Sequence, residues 1–259
     1  MKSQIPEIDA SKINLEDSVD DFVKIIKENG CLLLKNCFTI TEDQVKETKE
    51  FIESAGDKTY KFGIAYKTGS AQEAYSGLSF LKDIIEKDWM KSLAWKYWPG
   101  SSLIDVFITH EFKQSNELAA NGHLHFDKLN TFKFMFYMTD CDKSSGAFSV
   151  TPESHVLGAY LREQSWIDAG FPTPGGGRYE SVKNKIDQDF SHLERNVHPI
   201  EAPAGSIIIF DTDLFHKGGI VESGKERVLV RTHYSIGRGD ACKKMTPWKR
   251  KMWEEKQNV

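Results

Sequence analysis

The chain has no run of eighteen apolar residues, so no stretch of it is long and apolar enough to cross a membrane as a helix. Its opening, Met-Lys-Ser-Gln-Ile-Pro-Glu-Ile-Asp, lacks the apolar core of a secretory signal. Cysteine is sparse. Cys31, Cys37, Cys141 and Cys242 form no C-x-x-C pair and no metal-ligand spacing, and they read as reduced, mostly buried thiols of a cytoplasmic protein. An excess of positive charge is also missing: 34 lysines and arginines against 38 acids leave a net charge of −4, so no nucleic-acid partner is expected. The one basic cluster, Lys243, Lys244, Lys249, Arg250 and Lys251, is followed by Glu254 and Glu255 and reads as a solvated terminal helix or tail.

What is present fits one globular domain: 259 residues, 39% hydrophobic and 28% charged. The expected division is a mostly helical part over 1–100, a β core over 101–236 and a tail over 237–259. Residues 15–29 space Leu15, Val19, Phe22, Val23, Ile25 and Ile26 as an amphipathic helix that stops at Asn29-Gly30. Residues 31–38 read as a short buried strand. Thr41 with Gln44 is a capping-box signature for a helix to about Ser54. Residues 56–77 read as loop with short strands, and 78–98 as helix, ending at Pro99-Gly100. Trp89, Trp95 and Trp98 in that helix read as packing residues.

From Ser102 the pattern turns to strands, at 102–112 and about 131–139, 146–151, 197–202, 206–210 and 227–236. Many short strands argue for a closed or double-sheet antiparallel architecture, a jelly roll. A long loop is expected at about 156–196, either a lid over the site or a surface excursion.

The chemistry gathers in Gly122-His-Leu-His125-Phe-Asp127. His125 and Asp127 are two apart, so on a strand they point to one face and can hold two positions on a metal. His216, after the strand-like run 206–210, is the candidate third ligand. Two histidines and one carboxylate leave positions open and suit non-haem Fe(II) better than zinc. Phe132, Phe134 and Phe136 alternate as a face for the outer helices, which turns Lys133 toward the interior, where an ammonium needs an anion; a solvated edge lysine is the alternative. His110 and His123 are weaker candidates for substrate contacts, and His233 shares a strand face with residues 227, 229 and 231.

His125-Phe-Asp127, the strand 132–140, Gly146-Ala-Phe-Ser-Val-Thr-Pro-Glu-Ser-His155, His216 and Arg227 together resemble the phytanoyl-CoA dioxygenase family of Fe(II)/2-oxoglutarate-dependent oxygenases. The likeness is close over about 100–236 and looser before it. It implies a double-stranded β-helix (cupin-like jelly roll) with helices packed outside, and His125, Asp127 and His216 as iron ligands. It also implies consumption of O2 and 2-oxoglutarate with release of succinate and CO2, and activity sustained by ascorbate; Lys133, His110 and His123, for their part, point to a small polar or anionic substrate. By its offset from His216, Arg227 matches the residue that holds the distal carboxylate of 2-oxoglutarate; Arg231 competes, because it shares that strand face.

Asp127 stands where halogenating relatives have a small residue, so hydroxylation or a related oxidation such as desaturation is expected. Two positions depart from the family pattern: Glu153 replaces a frequent glycine, and Gly218 replaces a hydroxyl residue that helps hold the oxo acid, a task Thr131 or Lys133 would take over. The competing readings are a non-catalytic metal- or sugar-binding jelly roll and a metal dioxygenase that needs no oxo acid. A monomer or homodimer is expected.

Overall fold

A computed structural model describes residues 4–58, 63–112, 122–168, 191–237 and 239–257. The N-terminal part runs β1 (Glu7–Asp9), α1 (Val19–Asn29), β2 (Cys31–Lys35), α2 (Glu42–Ala55), β3 (Gly63–Thr68), α3 (Ala71–Gly77), α4 (Leu81–Ile85) and α5 (Asp88–Tyr97). The remainder is β4 (Ser102–Phe112), β5 (Phe132–Tyr137), β6 (Ser149–Val150), α6 (His155–Asp168), α7 (Ser191–Glu194), β7 (His198–Pro199), β8 (Ile207–Asp211), β9 (His216–Lys217), β10 (Glu226–Ser235) and α8 (Pro247–Gln257).

Local chemistry sets these elements. Gly30 takes φ 81, the left-handed cap that ends α1, and a Cβ there would strike Leu214 and His155. Thr41 and Gln44 cap α2 reciprocally, as the sequence pattern predicts. Within 56–77, β3 is one of the short strands expected and α3 is a helix where loop was expected, and 78–98 holds two helices rather than one.

Seven strands form a mixed sheet in the order β1-β2-β8-β5-β10-β4-β3, antiparallel except for β1 beside β2. A smaller sheet, β7-β6-β9, faces it. The architecture is the jelly-roll kind expected, built of two sheets and not a closed barrel. Strand alternation divides the large sheet. Phe132, Phe134 and Phe136 pack outward, Phe132 stacked on Tyr97 and Phe134 edge-on to Trp89. Trp98 is buried with them, whereas Trp95 is exposed. The inner face carries Met135, Tyr137, Ile208, Phe210 and Leu229 against Phe148 and Val150 of the small sheet. None of the four cysteines is in a disulfide, and no helix among the described residues is long and apolar enough to cross a membrane.

Two expectations need correction. The stretch 156–196 opens as helix: α6 runs to Asp168 and packs so tightly that a Cβ on Gly158 would meet the Asp213 carbonyl at 1.9 Å. Whether the remainder forms a lid falls on 169–190, outside the described residues. The basic tail is not simply solvated either. Lys249 of α8 is fully buried, its ammonium 2.5 Å from Asp211 and 2.6 Å from Asp213. Arg162 of α6 donates through Nε and Nη2 to Asp213 and through Nη1 to the Cys242 carbonyl. Tyr97 donates to Asp211. Two carboxylates, one guanidinium and one ammonium thus neutralise each other beneath the loop that leads to His216.

Candidate active site

His125 and His216 form an antiparallel bridge: His125 N donates to His216 O at 2.9 Å and His216 N to His125 O at 2.7 Å. That pairing brings the two rings side by side, centroids 4.5 Å apart. Each ring donates Nδ1–H to the carbonyl two residues earlier, His123 O and Leu214 O, both at 2.7 Å. The tautomer is fixed, and each Nε2 keeps its lone pair for the cavity. Asp127 completes the group, because its amide donates to Thr212 O at 2.9 Å and turns the carboxylate inward. Its Oδ1 lies 3.9 Å from His125 Nε2 and 3.7 Å from His216 Nε2. The three donor atoms fall within 4.8 Å of one another. A divalent metal with ligand bonds of about 2.0–2.2 Å fits between them after a small contraction. The donor set, two neutral imidazole nitrogens and one carboxylate, suits Fe(II).

Asp127 Oδ2 accepts from Lys133 Nζ at 2.6 Å. Burial pushes the Asp127 carboxyl up, but Lys133, His216 and His125 outweigh it and hold it well below the usual range. Burial, then His125, pushes His216 down to about 3. Phe148 and Phe210 lie 5.5 and 5.4 Å from the His216 ring and wall off that side.

The triad opens on a cavity of about 220 Å³ that extends along the inner face of β10 and β4. Register explains its lining: Arg227 faces Glu111, Arg231 faces Phe107, and His233 faces Asp105 across β10–β4. Arg227 is buried and donates through Nε, at 3.1 Å, and through Nη2 to Glu111 Oε2. Burial works against both charges, yet their mutual attraction prevails, lowering the Glu111 pKa and raising that of Arg227. His233 Nδ1 lies 2.6 Å from Asp105 Oδ1, and burial, then Lys133, pushes the His233 pKa down to about 4.

Of the residues singled out in the sequence, His125, Asp127, Lys133, His216, Arg227, Arg231 and His233 line this one cavity, and so does Gly218. Lys133 does point inward, but onto Asp127. Thr131 lies in an adjoining cleft, its hydroxyl bonded to Thr212, and does not share the cavity of Arg227. His110 sits on the opposite face of β4, paired with Glu226 at 2.8 Å. His123 supplies its carbonyl to the His125 ring. Glu153, at the frequent glycine of the motif, takes φ 65, the left-handed conformation that favours glycine. Glu111, Phe107 and Lys67 were missed; the only available signal was that Phe107 and Glu111 alternate on one face of a strand.

Two solved enzymes of nogalamycin biosynthesis share the fold. The epimerase SnoN, in a complex with Fe3+, alpha ketoglutarate and nogalamycin RO, is 11% identical with a TM-score of 0.57, covering 89% of this chain and 91% of its own. The carbocyclase SnoK is 12% identical with a TM-score of 0.55, covering 89% and 87%. HygX from Streptomyces hygroscopicus, solved with nickel and 2-oxoglutarate, is 15% identical with a TM-score of 0.53, covering 83% and 86%. An uncharacterized protein of Mycobacterium tuberculosis, Rv1501, is 36% identical over 47 residues, which is 18% of this chain and 17% of that protein. The family model for phytanoyl-CoA dioxygenase (PhyH) matches residues 26–229, and the chain belongs to that family.

Proposed function

We propose that the chain is an Fe(II)- and 2-oxoglutarate-dependent oxygenase that hydroxylates, or otherwise oxidises, a small polar molecule with release of succinate and CO2. The observation that carries this reading is the convergence of two Nε2 lone pairs and one carboxylate oxygen within 4.8 Å, at a cavity that a buried arginine also lines. His125, Asp127 and His216 would hold the iron. Arg227, with Nη1 buried and without an acceptor, would take the distal carboxylate of 2-oxoglutarate. Iron and 2-oxoglutarate, when bound, supply the activation of O2 by coupling it to oxidative decarboxylation of the oxo acid.

The chain's own residues supply orientation and charge. The carbonyls of His123 and Leu214 fix which ring nitrogen faces the metal. Lys133 holds the outer oxygen of Asp127, which keeps Oδ1 directed at the two imidazoles, where it would be the oxygen offered to the metal. Glu111 fixes the guanidinium of Arg227. Phe148 and Phe210 restrict water on the His216 side.

The variety of outcomes in the fold's neighbours, an epimerase and a carbocyclase among them, leaves hydroxylation as one member of a class of oxidations. The reading is tested by succinate release in the presence of iron, ascorbate and a metabolite library. Release that requires both iron and 2-oxoglutarate, and a steep rise in the 2-oxoglutarate requirement in Arg227→Gln, is the expected result. A metal dioxygenase that needs no oxo acid would leave Arg227→Gln fully active, and a binding protein would release no succinate.

A further inference from the structure

The cavity holds more cationic hydrogen-bonding capacity than a metal and one oxo acid consume. Lys67, Lys133, Arg227 and Arg231 line it, against Glu111 and Asp127, with Asp105 just behind in the adjoining cleft. Four cations thus meet three carboxylates. A divalent ion and a doubly charged oxo acid cancel each other and leave that excess unchanged.

The excess is localised at Arg231. Glu111 already accepts two bonds from Arg227 and one from the Thr109 hydroxyl at 3.0 Å. Its distance to Arg231 Nη2 is 3.5 Å, an ion pair without hydrogen-bond geometry. Nε and Nη2 of Arg231 are both shielded from solvent and have no acceptor. Lys133 is committed to Asp127, and Lys67, which is half exposed, lies 3.6 Å from Asp105. The Arg231 guanidinium is stacked 4.4 Å above the Phe107 ring, which fixes its plane. A planar cation held in this way, on the same strand face as Arg227 but two residues nearer His233 than Leu229, is preorganised for an oxyanion.

We propose that Arg231, stacked on Phe107 in the cavity of the metal triad, receives a carboxylate or phosphate group of the substrate, separately from the oxo acid at Arg227. This rests on the oxygenase reading above and narrows its substrate to an anionic small molecule. Neutral substrates leave the fork of Arg231 unmet, and the burial of those donors then selects against them.

The test uses the full chain loaded with nickel in place of iron and saturated with N-oxalylglycine, a non-reacting analogue of the oxo acid. Inorganic phosphate and propionate are titrated by calorimetry. At least one of them is expected to bind once per chain, at about the millimolar level. Arg231→Gln is expected to weaken that binding about tenfold while N-oxalylglycine affinity stays within about twofold. Arg231→Lys, which retains the charge but not the fork, should fall between the two, and it carries the test if the glutamine variant fails to fold. Three results overturn the inference and leave the oxygenase reading standing: neither anion binds, the anion binds equally well to the variants, or Arg231→Gln weakens N-oxalylglycine instead. Failure of the unaltered chain to bind nickel and N-oxalylglycine at all overturns both.

Discussion

The main chains of His125 and His216 are hydrogen-bonded to each other in both directions, at 2.9 and 2.7 Å, although ninety-one residues separate them in sequence. The bridge sets both imidazoles on one side before any metal arrives, so the site is preorganised by backbone as well as by side chains. His216→Ala should therefore abolish stoichiometric binding of Fe(II), or of Ni(II) as a probe, while leaving the bridge and the melting temperature nearly intact. Isothermal titration together with a thermal melt checks both parts. Undiminished metal binding would remove the triad from the mechanism.

Lys133 contributes to the same site one step removed. It is expected to stay on Asp127 Oδ2 with the metal present, so Lys133→Gln should lower metal affinity by roughly 10- to 100-fold, the usual effect of losing a partner behind a ligand. If Lys133 instead anchors 2-oxoglutarate, the variant would raise the 2-oxoglutarate requirement at unchanged metal affinity. Metal titration with and without the oxo acid separates these outcomes.

Lys249→Met leaves Asp211 and Asp213 with a single buried cation, Arg162, between them. Removing one partner of a buried ion pair costs about 3–5 kcal/mol. For a chain of this size that corresponds to a fall in melting temperature of about 10 °C, readable by calorimetry. A change of less than about 1 kcal/mol, the scale of a surface pair, would show that Lys249 is not buried as described.

His155 gives the fold an acid limit. It is fully buried, its Nε2 bonded to Lys27 O, with Asp211 and Lys249 as opposing charges nearby. Burial pushes its pKa from 6.5 down to about 4. The unfolded chain therefore binds a proton there before the folded chain does. Its stabilising contribution is complete above pH 6.5 and is lost as the pH falls toward 4, by about 3 kcal/mol over the interval. Urea unfolding across that range should show a shallower decline in His155→Gln than in the unaltered chain. Equal slopes would assign the acid sensitivity to other groups.

The convergence of His125, Asp127 and His216 is legible in the sequence because a two-residue spacing on an extended strand is a geometric statement, and because their companions follow in a recognisable order. The outward phenylalanines of β5 were legible for the same reason. Glu111 was not, since its importance depends on the β10–β4 register that sets it opposite Arg227. Helix α6 is hard to see in the sequence because Arg162 and Glu163 lie among its buried residues, which erases the apolar stripe that marks a helix. The burial of Lys249 is hidden for a related reason: charge patterning reports composition, and only the fold reveals that two carboxylates wait thirty-six and thirty-eight residues upstream.

The position of Lys249 also imposes an order on biosynthesis. Until that residue has left the ribosome, the growing polypeptide holds Asp211 and Asp213 with one cation too few. The loop that leads to His216 therefore gains its second buried cation only when α8 packs beneath it.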